Sequence, residues 1–457
     1  MKKLTTLLLA AGMVFAATAP ASAIDVKFDG QYDFNFARST NQYNGEYQDQ
    51  DLDGARQRLR LGMSFVASEN LSGYFMMQAG TSEWGAGAGA FNKEDGSVLS
   101  ARQVYIDWMI PQTSIKVRMG KQHIGLPGGA NGKSYVQHSG IAPSTGIVVS
   151  APVLDNLNVT AYWARLARGE WNGKSGADSA MVYNHDIDNS KYDTFGIYAN
   201  YKGNGYAVAP YALYANIGDG KVYDAAGFGP DWEANKGVGA EAYWFGATAT
   251  VSAFDPFTFK LGAAYGAKNY DDEALDDRKG FVVDALATYK LGFGTVKALA
   301  WYGSGDDKGD QKYSGMMPVV GSRFNGGSVA WNGSSLIDNF GSDYTNPQGT
   351  WGIQLGLTGM SFIQDLKHDF TVTYFAGTND SSLGAADDLK RNNQYLTTED
   401  TGVEVAFNST YKIYNNLTTF VELGYVFTDF AEADKIAGRD AKYEDDWKIA
   451  WGFQYKF

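Results

Sequence analysis

Three arginines spaced two residues apart, Arg56, Arg58 and Arg60, are the first residues whose type and spacing could do chemistry. Along an extended chain successive side chains point to opposite faces, so these three share one face while Leu59, Leu61, Met63 and Phe65 share the other. A row of guanidinium groups on a confined, partly low-dielectric wall concentrates anions and repels cations. The same alternation sets Lys116 and Arg118 on the polar face of a nearby segment, opposite Ile115, Val117 and Met119. The segment between carries Tyr105 and Asp107, and an acid there could pair with these cations and leave them as ordinary solvation of the wall. Both readings, selective filter and neutralised wall, stay open on sequence.

A second candidate is Asp49-Gln50-Asp51-Leu52-Asp53-Gly54, whose alternating carboxylates Asp49, Asp51 and Asp53 and turn glycine match the opening of a calcium loop. The twelfth position is Arg60 where a bidentate Glu belongs, and no helical pattern flanks it, so a solvated acidic loop is the competing reading. Calcium is the one cofactor this sequence suggests. For catalysis, the four histidines, His123, His138, His185 and His368, fall in predicted loops or at a turn, with no G-x-S-x-G and no metal-spaced pair. No enzyme activity is expected.

The elements that must position these residues are strands. Val26, Phe28, Tyr32, Phe34 and Phe36 alternate with Lys27, Asp29, Gln31, Asp33 and Asn35, and Trp447, Ile449, Trp451, Phe453, Tyr455 and Phe457 repeat the pattern at the other end. Sixteen further segments of this kind lie between, giving eighteen strands. The segments 147 to 153, which is short, and 206 to 216, which contains Pro210, are weak enough to leave sixteen as an alternative. Short turns such as Gly203-Asn204-Gly205 and Ile413 to Asn416 alternate with longer connections rich in Gly, Asn, Asp and Ser, among them 38 to 54, 82 to 98 and 303 to 349. Short turns on one side and long loops on the other describe an all-β transmembrane antiparallel β-barrel, with short periplasmic turns and long extracellular loops. After residue 24 no apolar run is long enough for a spanning helix, and a closed barrel is the other way to satisfy backbone polar groups in hydrocarbon.

Lys2 and Lys3, a mostly apolar run from Leu4 to Ala17 and the site Ala21-Ser22-Ala23 read as a secretory signal peptide over 1–23. The rest, 24–457, reads as a single barrel. Losing Lys2 and Lys3 takes the formal charge from −13 to −15, a poor match to nucleic acid. The 55 Gly and 29 Tyr suit a repetitive β body, and the absence of Cys is weakly informative.

The signal segment, the closing strand ending in Phe457, and the run Met119-Gly120-Lys121-Gln122 opening into a loop with Gly125, Gly128, Gly129 and Gly132 make the chain similar to general bacterial outer-membrane porins. The resemblance is nearest to the homotrimeric porins of sulfate-reducing bacteria, and it implies a trimer in outer-membrane lipid. In such porins the loop after the fifth strand folds into the lumen, which implies an inward-folding loop near 122–146 here, and a final aromatic is read by the barrel-assembly machinery. The span 122 to 146 carries no acid, unlike cation-selective members of the family. The resemblance implies a water-filled channel for small hydrophilic solutes and ions, with Arg56, Arg58, Arg60, Lys116, Arg118, Asp107 and Tyr105 on the pore wall. A solute-specific channel of the maltoporin type is the alternative, with Tyr74, Tyr105 and Tyr162 as an aromatic slide. A barrel enzyme or an adhesin would use the same fold.

Overall fold

The computed structural model describes residues 24–40, 42–43, 46–47, 52–84, 99–132, 134–136, 144–168, 170–171, 181–182, 191–218, 239–272, 277–306, 317, 328–329, 349–381, 396–430 and 445–457. The signal segment lies outside them. Among the described residues eighteen antiparallel strands form one sheet. They are β1 (Asp25–Ser39), β2 (Leu52–Ser68), β3 (Leu71–Glu83), β4 (Leu99–Met109), β5 (Lys116–Gln122), β6 (Ser144–Leu154), β7 (Leu157–Arg168), β8 (Lys191–Gly203) and β9 (Tyr206–Ile217). The ring continues through β10 (Ala240–Val251), β11 (Phe257–Tyr270), β12 (Arg278–Lys290), β13 (Thr295–Gly303), β14 (Thr350–Ile363), β15 (Leu366–Gly377), β16 (Thr401–Tyr414), β17 (Leu417–Asp429) and β18 (Asp446–Lys456). Every strand pairs with its sequence neighbours, and β18 closes on β1 with Phe453 opposite Phe34 and Tyr455 opposite Tyr32. Closure removes the free edges that an open sheet exposes.

Both weak segments are full strands, β6 and β9, so eighteen stands and sixteen falls. Pro210 is tolerated because the ladder to β8 passes from Tyr211–Tyr198 directly to Val208–Tyr201, while the ladder to β10 runs unbroken through Pro210–Ala247. The missing N–H therefore interrupts one edge for two pairs of residues.

The period-two pattern resolves into two surfaces. Outward positions carry Phe245, Leu261, Phe281, Ile353 and Trp451, all well exposed, and their neighbours Trp244, Gly262, Val282, Gln354 and Ala450 face inward and are buried or nearly so. The short turns share one end with the start of β1 and the end of β18. There Gly30 and Phe457 exchange backbone hydrogen bonds of 2.9 and 3.1 Å, and the Phe457 ring lies over Gly30.

The inside of the ring is unequal. Inner faces from β7 to β13 supply Tyr162, Tyr211, Leu213, Trp244, Leu299 and Trp301 to one apolar cluster, joined by Ile124, Tyr135, Val136 and Met317 from long connections. The inner faces of β1 to β5, with β18, are mainly polar and charged, while β17 sets Glu422 between Phe420 and Val426. The core thus sits within the barrel, against one part of its circumference.

Candidate functional site

On β2 the arginines Arg60, Arg58 and Arg56 stand opposite Gln31, Asp33 and Asn35 of β1, on the inner face. Each has a partner. Arg58 Nη2 lies 3.1 Å from Asp33 Oδ2, and Asp33, fully buried, also accepts from Gln31 at 2.7 Å and Gln454 at 3.0 Å. Arg60 Nε donates to Gln78 Oε1 at 2.8 Å, and Arg102 donates to the same oxygen at 3.3 Å. Arg56 stands 3.7 Å from Glu83. An ion pair as enclosed as Arg58–Asp33 persists because further hydrogen bonds satisfy the remaining lone pairs and offset part of the desolvation cost.

Beside it, Arg118 on β5 grips Asp107 on β4 through two hydrogen bonds of 2.6 and 2.7 Å, and Lys116 reaches the same carboxylate at 2.8 Å. The Arg118 guanidinium lies 4.1 Å from the Tyr105 ring centroid, Tyr105 lies 5.3 Å from Tyr74, and the Tyr74 hydroxyl donates to Asp29 at 3.2 Å. Planar guanidinium stacks on an aromatic face while keeping its fork for a carboxylate. All seven of the wall residues expected from sequence therefore fall on one stretch of inner wall, β2 to β5, and the wall carries mixed charge rather than cations alone. Tyr162 is not part of it: it faces inward from β7, in the apolar cluster.

Of the calcium candidate only Asp53 falls among the described residues. Asp49 and Asp51 lie outside the described residues, Asp53 is exposed at the start of β2 opposite Arg38, and no group of three candidate ligands occurs among the described residues. His368 sits not at a turn but within β15, 2.7 Å from Ser409 Oγ and stacked on Phe407. His138 and His185 lie outside the described residues.

The connection after β5 carries the next part of the site. The N–H groups of Ala130 and Asn131 donate to the two oxygens of Asp284, on β12, at 2.8 and 3.1 Å, and the Tyr135 hydroxyl donates to the same carboxylate. Thr248 on β10 donates to the Gly128 carbonyl. From strand five this segment therefore reaches strands ten to twelve. Gly262 makes the approach possible, since a Cβ there would lie 2.8 Å from both Ala130 N and Gly129 Cα. Burial, then the Asp284 charge, pushes the Tyr135 phenol well above its ordinary range, so it acts as a donor at any physiological pH.

A second segment does the same. Ser328 and Val329, in the connection 303 to 349, donate their backbone N–H groups to Glu404 Oε1 on β16 at 2.6 and 2.7 Å, and Ser328 Oγ donates to Asn408 Oδ1 at 2.6 Å. Val329 and Ser328 lie against Gly424 of β17, and Met317 lies against Gly266 of β11. The expectation that 303 to 349 is an outer loop throughout fails at these three buried residues. Asp284 and Glu404 were not singled out from sequence. Their signal was there: a lone acid on an inward phase otherwise made of Val282 and Leu286, or of Gly402 and Ala406, with a glycine on the adjoining strand.

No family model matches the chain, and no curated protein matches it. Among solved structures the fold is similar to OprD of Pseudomonas aeruginosa, at 11% identity and a TM-score of 0.55 over 96% of this chain and 97% of that one. It is similar to a BenF-like porin from Pseudomonas fluorescens Pf-5, at 11% identity and 0.56 over 95% and 99%. It is likewise similar to OccAB3 of Acinetobacter baumannii, at 12% identity and 0.56 over 95% and 100%. These likenesses establish the fold, a closed antiparallel β-barrel.

Proposed function

We propose that this chain is an outer-membrane porin through which small hydrophilic solutes and ions diffuse passively. The observation that carries the reading is the division of the barrel: an apolar outer belt for lipid, an apolar inner sector occupied by inward segments, and a polar inner wall on β1 to β5 beside them. Water and solutes pass along that wall, where charged and hydroxylated side chains replace part of the hydration that a solute gives up. The segment from Gln122 to Val136 is the constriction element on this reading. The resemblance to homotrimeric porins of sulfate-reducing bacteria carries a trimer with it, and Phe457 is the residue we assign to the barrel-assembly machinery. The measurement that tests the reading is single-channel conductance of purified protein in planar bilayers, with liposome swelling over a series of sugars. Graded permeation by size is expected, and absence of permeation overturns it.

The charge at the wall sets a modest anion preference. Arg56, Arg58, Arg60, Arg102, Lys116 and Arg118 outnumber Asp29, Asp33, Glu83 and Asp107 there, and the acids in outer connections are screened beyond a Debye length of ~8 Å at physiological salt. Reversal potentials in a salt gradient should indicate anion preference. Asp107→Asn, which releases Lys116 and Arg118 from their carboxylate, should strengthen it. Arg60→Ala should weaken it. Cation preference unchanged by both substitutions refutes the arginine wall and leaves the porin reading intact.

A solute-specific channel is favoured by one observation, the continuous stack Tyr74, Tyr105 and Arg118, which offers a flat solute two aromatic faces and a cation. Saturable transport in the swelling series, lost in Tyr105→Ala, would select it.

A further inference from the structure

Two carboxylates on the inner wall do the same unusual thing. Asp284 accepts the consecutive N–H groups of Ala130 and Asn131, and Glu404 accepts the consecutive N–H groups of Ser328 and Val329. Each grip has one further hydrogen bond: the Tyr135 hydroxyl donates to Asp284, and the Ser328 hydroxyl donates to Asn408, two inward positions along β16 from Glu404. At each place the wall has been cleared of side chains, by Gly262 beneath Ala130 and by Gly424 beneath Ser328 and Val329. At the centre of each grip Ala130 and Val329 are at 0% exposure.

From this repetition we infer that Asp284 and Glu404 are two independent latches, each a positioning residue that holds one inward segment against its own part of the wall and so fixes the cross-section of the passage. The inference rests on the porin reading for its consequence, and on the geometry alone for the latching. The chemistry is that of an anion in a nest of backbone donors. Charge-assisted bonds to N–H groups are roughly twice as strong as neutral ones, and a buried N–H that loses its acceptor bears the full cost of desolvation. A carboxylate on a rigid strand is therefore a fixed peg, and the backbone of a connection that has no acid of its own between residues 122 and 146 is tied down without any particular loop side chain but Tyr135. The two pegs stand on β12 and β16, so each can let go without the other.

The chain has no cysteine, so single thiols report on each segment cleanly. In Ala130→Cys and Val329→Cys proteins, folded in detergent, the rate of modification by a charged methanethiosulfonate reagent reads the opening of each segment. Adding Asp284→Ala should accelerate labelling at 130 by about tenfold or more, the equivalent of one lost charge-assisted hydrogen bond, and leave 329 unchanged. Adding Glu404→Ala should do the reverse. Asp284→Asn and Glu404→Gln, which keep one acceptor oxygen, should give intermediate rates at their own segment, and they carry the test if an alanine variant does not assemble. Unchanged rates overturn the latches, and acceleration at both thiols by either substitution overturns their independence by showing a loosened barrel. Planar-bilayer conductance of Asp284→Ala, expected to rise above the parent, separates the two claims. Labelling that shifts as described in a protein that never conducts refutes the porin reading and leaves the latches standing, while unchanged labelling in a conducting protein refutes the latches alone.

Discussion

Replacing Leu261 by Arg should sharply reduce the yield of assembled barrel, whereas Thr258→Arg, three residues earlier on the same strand, should assemble nearly as the parent does. Leu261 is 61% exposed on the outward phase of β11 and faces Ala249 and Ala285 across its two ladders, so nothing polar is near it. A charged side chain on the lipid face near mid-membrane costs ~2 to 4 kcal/mol, and no acid stands beside this position to receive it. Thr258 belongs to the inward phase, which already accommodates Lys260 and Lys268 on the same strand. Heat-modifiable mobility on gels after refolding into detergent or vesicles distinguishes folded from unfolded chains. Equal loss at both positions would mean that the two faces of β11 are interchanged or that neither meets lipid.

Gly262→Val should enlarge the conductance and lower the stability together. A Cβ at this position would stand 2.2 Å from Asp284 Oδ1 and 2.8 Å from two backbone atoms of the segment that crosses it, Gly129 Cα and Ala130 N. The strand cannot retreat, since β11 is paired on both sides, so the backbone of the crossing segment must leave the wall. Overfilling a close-packed contact costs about 1–3 kcal/mol, which a denaturant series would register as a lower midpoint. Gly292, in the turn between β12 and β13, has nothing within 4 Å of its Cβ position, and Gly292→Ala should change neither property. A Gly262→Val channel with parental conductance would show that the segment from Gln122 to Val136 does not limit the passage.

The strands were legible in the sequence because each inner and outer residue declares its face locally. The alternation from Val26 to Phe36 and from Trp447 to Phe457 needs no knowledge of partners, and the short turns set neighbour against neighbour. Pro210 looked like a breaker because a proline's cost depends on which edge its missing N–H would have served, and that is settled by pairing. Arg56, Arg58, Arg60, Tyr105, Asp107, Lys116 and Arg118 come together because they lie on adjacent strands, and Asp107 was legible as a partner for Lys116 and Arg118, whereas Arg58 meets Asp33 only once β1 and β2 take their register. The grip of Asp284 on Ala130 spans 154 positions and involves backbone N–H groups, which every residue but proline carries and which therefore leave no trace in composition. The inward course of Ser328 and Val329 was hidden for the same reason.

One residue of the wall also tells how the ring is fastened. Asp33 on β1 holds Arg58 of β2 on one side and Gln454 of β18 on the other, the second across 421 positions of sequence. Every other seam in the ring joins strands that follow one another, and these can zip up in order as local hairpins. The seam between β1 and β18 alone waits for the two ends of the sheet to meet, and it bears the loop-closure entropy of nearly the whole chain. Until it shuts, the sheet has two raw edges able to pair with another copy. A buried carboxylate that bridges that seam acts as a clasp, so Asp33→Asn should slow the final closing step of refolding while the hairpins elsewhere form on schedule.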